Sequence, residues 1–60
     1  MNVVRQWADW KLSHLNGREY QIHRIDGSTW IFFTGIFADD DSEALQKAVD
    51  VVTTADKKDF

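Results

Sequence analysis

The chain has no cysteine, no proline and no long apolar run in its 60 residues. The lack of cysteine excludes disulfides and thiolate zinc sites, and it fits a reducing compartment. The longest apolar run, residues 30–33, is strand-sized, whereas a membrane-spanning helix needs about 20 residues. Residues 1–10 contain Arg5 and Asp9 and no apolar h-region, so we expect no signal peptide. We therefore predict a cytoplasmic protein with no membrane partner, and the initial Met suggests a complete short gene product.

Basic residues are also few, and their distribution is uneven. The net charge is −3. Residues 1–30 hold four Lys or Arg and three Asp or Glu, whereas residues 31–60 hold three and seven. General nucleic-acid binding depends on neutralising phosphates with Lys and Arg. The acidic balance therefore disfavours it, although the mildly basic first half leaves a local exception open.

The length predicts a single small domain, residues 1–60. A chain this short buries only about 60% of its unfolded surface, so marginal stability is expected. The low stability expected from the small buried surface is offset in part by aromatic residues, because each buried aromatic removes much apolar area from water. The chain has three Trp, four Phe and one Tyr. Association with another chain is a further common aid for small scaffolds.

The C-terminal region predicts a helix over about residues 40–57. Asp40 and Glu43 form a capping-box pattern, with Asp40 at the N-cap and Glu43 reaching back. Apolar residues then recur at helical spacing, which makes a stripe that must face a core. Its main members are Leu45, Ala48, Val49 and Val52.

The region before the helix predicts a β-hairpin. Residues 28–37 are rich in aromatic and β-branched residues, which favour strands. Residues 18–25 alternate in polarity, and Asp26-Gly27 between the two segments is a type I′ turn signal. With that turn, Ile22 pairs with Ile31, and Tyr20 with Phe33 on the same face.

The first 15 residues fit either a helix or a strand. A three-residue loop at residues 15–17 pairs Leu12 with Tyr20 and Trp10 with Ile22, which extends the same apolar face. We therefore favour an α+β fold with a short N-terminal helical segment at residues 2–8, and a helix–β-hairpin–helix is the alternative. The favoured fold is a three-stranded antiparallel meander at about residues 9–14, 18–25 and 28–37, packed by the C-terminal helix. Its expected inner face consists of Trp10, Leu12, Tyr20, Ile22, Ile31, Phe33 and Phe37.

No catalytic, metal or cofactor site is predicted. In the expected register His14 and His23 lie on opposite faces of the sheet, so they cannot share one metal. The acidic residues 39–43 lack the spacing of a calcium loop and suit the start of a helix. No serine lies in a nucleophile motif, and the glycines form no phosphate-binding loop. The chain is therefore expected not to be an enzyme.

The outer face of the predicted sheet is unexpectedly apolar, although an open antiparallel face is normally polar. An uncovered apolar patch of this kind often marks an interaction site. This face could be buried by the N-terminal residues Val3, Val4 and Trp7, by a second copy of the chain, or by a different ligand. The candidate interaction face consists of Lys11, Gln21, His23, Trp30, Phe32, Thr34 and Ile36.

Together these features favour a small interaction or regulatory protein, which acts as a homodimer or docks onto a protein partner. Its length is typical of accessory proteins of phages and mobile elements. The alternative is nucleic-acid binding through the outer face, since aromatics on a sheet can stack unpaired bases. The residues for that role would be Lys11, Arg18, Gln21, His23, Arg24, Trp30 and Phe32.

Overall fold

The computed structural model describes the backbone of residues 2–58 and the side chains of residues 2–55. This part of the chain forms a four-stranded antiparallel sheet, ordered as in the sequence, and one C-terminal helix. The α+β class, the C-terminal helix and the three predicted strands are confirmed, and a fourth strand is added. The elements are β1 (Asn2–Trp7), β2 (Trp10–Asn16), β3 (Glu19–Asp26), β4 (Thr29–Phe37) and α1 (Asp41–Lys58).

The predicted N-terminal helical segment at residues 2–8 was wrong, because these residues form β1. Val3, Val4 and Trp7 favour a strand, and a helix of this length is hardly stable in isolation. Trp7 pairs directly with Trp10 across a two-residue turn, in which Ala8 has a φ of 48°. The alternative helix–β-hairpin–helix fold also fails, since Trp10 and Leu12 lie in β2.

Both predicted turns were misplaced, since the loops were expected at residues 15–17 and 26–27. Asn16 pairs with Glu19, and Asp26 pairs with Thr29, so the turn residues are 17–18 and 27–28. Gly17 and Gly27 have φ values of 55° and 66°, and a positive φ at the first central residue is what a type II′ turn requires. A three-residue loop was expected at the first hairpin and a type I′ turn at Asp26-Gly27, and each assumption shifted its register by two residues.

The β2–β3 register differs from the prediction by two residues, so the predicted face is kept. Leu12 pairs with Ile22 rather than Tyr20, and Trp10 pairs with Arg24 rather than Ile22. Because side chains alternate with a period of two, a two-residue shift leaves each side chain on its face. Trp10, Leu12, Tyr20 and Ile22 are accordingly all buried.

The β3–β4 register contains an irregularity that the sequence did not predict. His23 pairs with Phe32, but Ile22 pairs with Thr34, so Phe33 is an extra residue in β4. A bulge of this kind shifts the alternation of all following residues. The misplaced turn had already moved this register by two residues, and the bulge moved it by one more, so the predicted pairs of Ile22 with Ile31 and of Tyr20 with Phe33 were wrong.

The helix packs its small side chains against the sheet. Ala44, Ala48 and Val52 are buried, whereas Leu45 is half-buried and Val49 is exposed. Small residues allow the helix backbone to approach the large Trp10 and Tyr20 side chains. The apolar stripe was predicted, and Leu45 packs against the core from a half-buried position, but Val49 was wrongly included in the buried set. The buried core consists of Trp10, Leu12, Tyr20, Ile22, Ala38, Ala44, Ala48 and Val52.

The helix start matches the predicted capping box. The Asp40 Oδ1 atom accepts a hydrogen bond from the Glu43 N–H at 2.8 Å, and the Asp39 N–H donates to Glu43 Oε1 at 2.6 Å. Asp40 is thus the N-cap, although Glu43 reaches one residue further back than in the usual box. None of the helical residues within 2–58 forms a stretch long and apolar enough to cross a membrane.

Candidate interaction surface

The outer face of the sheet, the face opposite the helix, carries five of the seven predicted interaction residues. Residues directly opposite each other in an antiparallel pair share a face. Lys11 pairs with His23, which pairs with Phe32. Gln21 and Trp30 belong to the same face, since they lie an even number of positions from His23 and Phe32.

Side-chain contacts link three strands across this face. The Lys11 Nζ atom lies 4.6 Å from the centroid of the Trp30 ring, a cation–π contact that passes over β3. The His23 and Phe32 rings meet edge to face, with centroids 5.8 Å apart. These contacts place the Trp30 and Phe32 rings against Lys11 and His23 on the outer face.

His23 is held in its neutral form on this surface. Burial lowers the pKa of His23 below its ordinary value of 6.5, and the nearby Lys11 charge lowers it further. The His23 Nδ1 and Ser13 Oγ atoms are buried and have no hydrogen-bond partner within the described residues. The charge beside His23 on the outer face is therefore the Lys11 cation, and His23 itself adds none.

Thr34 and Ile36 do not belong to the outer face, which corrects their predicted placement. They follow the bulge at Phe33 and lie opposite Ile22 and Tyr20. Both partners are buried on the helix side, and Ile36 packs against the core. The same shift brings Phe37, which was predicted to point inward, opposite Glu19 on the outer face.

The helix does not cover the inner face at the β3–β4 turn. Ile31 pairs with Arg24 on the Trp10 side of the sheet, but it remains 48% exposed. Phe33 packs edge to face on Trp10, with ring centroids 5.0 Å apart, and is 43% exposed. Ile31 and Phe33, which were predicted to be core residues, therefore form an uncovered extension of the core.

A surface cavity of about 340 Å³ lies at the same end of the sheet. Ile31 and Phe33 reach it from the helix side, and Phe32 reaches it from the outer face. The cavity is therefore formed by both strands of the β3–β4 hairpin, at its turn-proximal end. Its lining consists of Arg24, Ile25, Asp26, Ile31, Phe32 and Phe33.

Strand β4 lies at one edge of the sheet, and its sequence does not protect that edge. Thr29–Phe37 contains no charged residue and no proline, the two features with which proteins commonly guard an edge strand. Phe32 is 54% exposed, and Phe37 is 61% exposed. One group at the far end is occupied, because the Lys47 Nζ atom donates to the Phe37 carbonyl oxygen at 2.7 Å.

The N-terminal residues do not cover the aromatic side chains of β4. Strand β1 lies at the opposite edge of the sheet, where Val4 and Trp7 pack against the core on the helix side. Val3 lies opposite Ser13 on the outer face and remains exposed. Among residues 2–55, whose side chains the structure describes, the packing leaves Ile31, Phe32 and Phe33 about half exposed.

Several polar side chains away from this surface have partners within the protein. The Tyr20 hydroxyl donates to Asp41 Oδ1 at 2.8 Å. Burial raises the pKa of Tyr20 to about 12, and the bond to Asp41 adds to the shift. Arg18 and Asp39 form an exposed ion pair at 2.9 Å. Among the described residues no group of three or more His, Cys, Asp or Glu side chains could hold a metal ion.

The sequence interpretation missed the free edge of β4 and the exposure of Ile31, Phe33 and Phe37. A signal for the edge was present, since nine consecutive residues without a charge or proline are unusual for a strand at the rim of a sheet. Comparison of the chain with protein families, curated proteins and solved structures gave no match.

Proposed function

We propose that this protein is a non-enzymatic interaction protein that binds another protein chain through the apolar surface of β4. The observation that carries the proposal is the exposure of Phe32, Ile31 and Phe33 on an uncharged edge strand. Exposed apolar patches on small proteins commonly mark interaction sites. A regulatory or accessory role and a cytoplasmic location remain predictions from length and composition.

The ordered state of the aromatic side chains supports binding at this surface. Lys11 holds Trp30, and His23 contacts Phe32, so little side-chain freedom would be lost when a partner docks. Large aromatic side chains also dominate the energetic centres of protein interfaces. A neutral His23 adds no further charge to the patch beside the Lys11 cation.

Nucleic-acid binding is less well supported by the same surface. Lys11 is engaged with the Trp30 ring, Arg18 pairs with Asp39, and the net charge is −3. Phosphate binding needs cations directed at the ligand. The outer face offers an apolar surface in their place.

The double substitution Trp30→Ser and Phe32→Ser tests the proposal. We expect the variant to keep its circular dichroism spectrum and to lose self-association or partner binding, as measured by sedimentation. The control is Val3→Ser, which removes an exposed apolar side chain from the outer face at the other edge. If the wild type instead binds a short single-stranded or duplex oligonucleotide and added salt weakens the binding, the protein binds nucleic acid. If the double variant unfolds, Trp30 and Phe32 belong to the core.

A further inference from the structure

The free edge of β4 presents backbone hydrogen-bonding groups whose positions follow from the ladder. The Ile25 N–H donates to the Asp9 carbonyl oxygen at 2.8 Å, so it points away from β4. Ile25 lies opposite Trp30, and these two residues therefore form a pair that does not exchange hydrogen bonds. The Trp30 N–H and C=O consequently point to the free edge, and alternation gives Phe32 the same orientation.

We infer that a second copy of this chain occupies this edge, with the two β4 strands paired antiparallel about a two-fold axis at Ile31. The inference rests on the proposed function and specifies its partner. Trp30 of each copy lies opposite Phe32 of the other and exchanges both backbone hydrogen bonds with it. The two sheets, each of four strands, thereby become one continuous sheet.

The axis position follows from which groups are free. Trp30 and Phe32 both point outward, and pairing one with the other places Ile31 on the axis. Beyond Phe32 the bulge at Phe33 interrupts the alternation. At the end of the strand the Phe37 carbonyl oxygen is already bonded to Lys47. The free ladder is therefore confined to the turn-proximal half of β4.

A second copy suits this edge because the strand is complementary to itself. A two-fold interface brings the same patch of both subunits together, and like charges directly opposite each other destabilise a strand pair. Thr29–Phe37 carries no charge, so this juxtaposition places no like charges opposite each other. The cavity beside Ile31, Phe32 and Phe33 would receive side chains of the second copy.

The available area predicts a weak dimer. Ile31, Phe32 and Phe33 are each about half exposed. A large apolar or aromatic side chain presents about 150–250 Å², so six such side chains contribute roughly 600 Å². Trp30 and the paired backbone bring the total towards about 1,000 Å², the lower limit of specific interfaces. We therefore expect a dissociation constant in the micromolar range.

Cysteine cross-linking locates the axis, because the chain has no cysteine of its own. Opposed residues in a pair that does not exchange hydrogen bonds have Cβ atoms about 4.5–5.5 Å apart, close enough for a disulfide after small shifts. Under mild oxidation, Ile31→Cys should give a covalent dimer in high yield. The matched control is Val3→Cys, because Val3 is also an exposed β-branched residue and lies in the opposite edge strand. Sedimentation of the wild type from micromolar to millimolar concentrations gives the mass of the complex.

Three outcomes decide the inference. The inference is supported if the wild type forms dimers in a concentration-dependent way and Ile31→Cys cross-links at least tenfold faster than Val3→Cys. A dimer whose cross-linking favours Val3→Cys would overturn the β4 pairing but leave a protein-binding function. A wild type that stays monomeric at millimolar concentration would overturn the second copy as partner, whereas salt-sensitive binding of an oligonucleotide would overturn the proposed function itself.

Discussion

The two edges of the sheet differ in how they meet solvent. Strand β1 is six residues long, carries Arg5, and contains an irregularity between Val3 and Arg5. Strand β4 is nine residues long and uncharged. Charge and bulges are common devices against edge-to-edge association. The bulge in β4 lies at Phe33, so it leaves the turn-proximal half regular, and this difference indicates which edge is available for pairing.

A substitution in the core between the two edges should lower the free energy of unfolding more than any substitution at an edge. Leu12 lies in β2 and is completely buried, so Leu12→Ala should lower the free energy of unfolding by about 2–5 kcal/mol. Ile31→Ala, at an exposed position of β4, should change it by less than about 1 kcal/mol. Urea denaturation measures both values. If both substitutions lowered the free energy of unfolding equally, Ile31 would contribute as much to stability as the core residue Leu12, and edge and interior would not differ.

A charge placed on each edge tests the comparison directly. Ile31→Lys would bring two like charges together at the two-fold axis, so the dimer dissociation constant should rise at least about tenfold, which corresponds to about 1.4 kcal/mol. Val3→Lys on the β1 side should leave association unchanged. Sedimentation equilibrium measures both. A larger effect at Val3 would reverse the assignment of the open edge.

Lys47 tests how far along β4 the pairing extends. Lys47→Ala frees the Phe37 carbonyl oxygen, which lies beyond the Trp30 and Phe32 groups that pair in the proposed dimer. Association should therefore be unchanged, while stability changes by less than about 1 kcal/mol because the contact is exposed. Gln46→Ala, at an exposed neighbouring position, is the control. Stronger association in Lys47→Ala than in Gln46→Ala would show that pairing reaches the Phe37 end of β4 and would contradict the axis at Ile31.

The last prediction is a small pH effect on stability at His23, whose ring contacts Phe32 on the neighbouring strand β4. The folded state lowers the pKa of His23 below 6.5, so between the two pKa values the unfolded chain binds more protons. Stability should therefore be constant above pH 6.5 and fall as the pH decreases below it. Thermal unfolding of the wild type and His23→Gln should show this loss only in the wild type. An identical pH dependence in both proteins would assign it to other groups.

The sequence was sufficient for the elements with strong local signals. The Asp40 and Glu43 cap predicted the helix start, and alternation placed Trp10, Leu12, Tyr20 and Ile22 on one face. That face survived a wrong turn assignment because the β2–β3 register moved by two residues. Five of the seven outer-face residues were placed correctly for the same reason.

The failures have identifiable physical causes. The bulge at Phe33 has no local signature in a run of apolar residues, and it moved Thr34, Ile36 and Phe37 to the opposite faces. The apolar N-terminal residues fit a helix or a strand by pattern, and only pairing with β2 decides between them. Strand β4 is an edge strand in the predicted meander as well as in the observed sheet, and the signal that was missed is its lack of charge.

The sequential strand order also has a kinetic consequence. Each strand pairs with its neighbour in the sequence, so each hairpin can close before the helix docks. Proteins rich in such local contacts fold quickly for their stability. The chain contains no proline, so slow isomerisation of prolyl peptide bonds cannot delay refolding. The β4 edge is therefore exposed as a partly formed strand only briefly, which limits irregular aggregation while the native edge remains open for pairing.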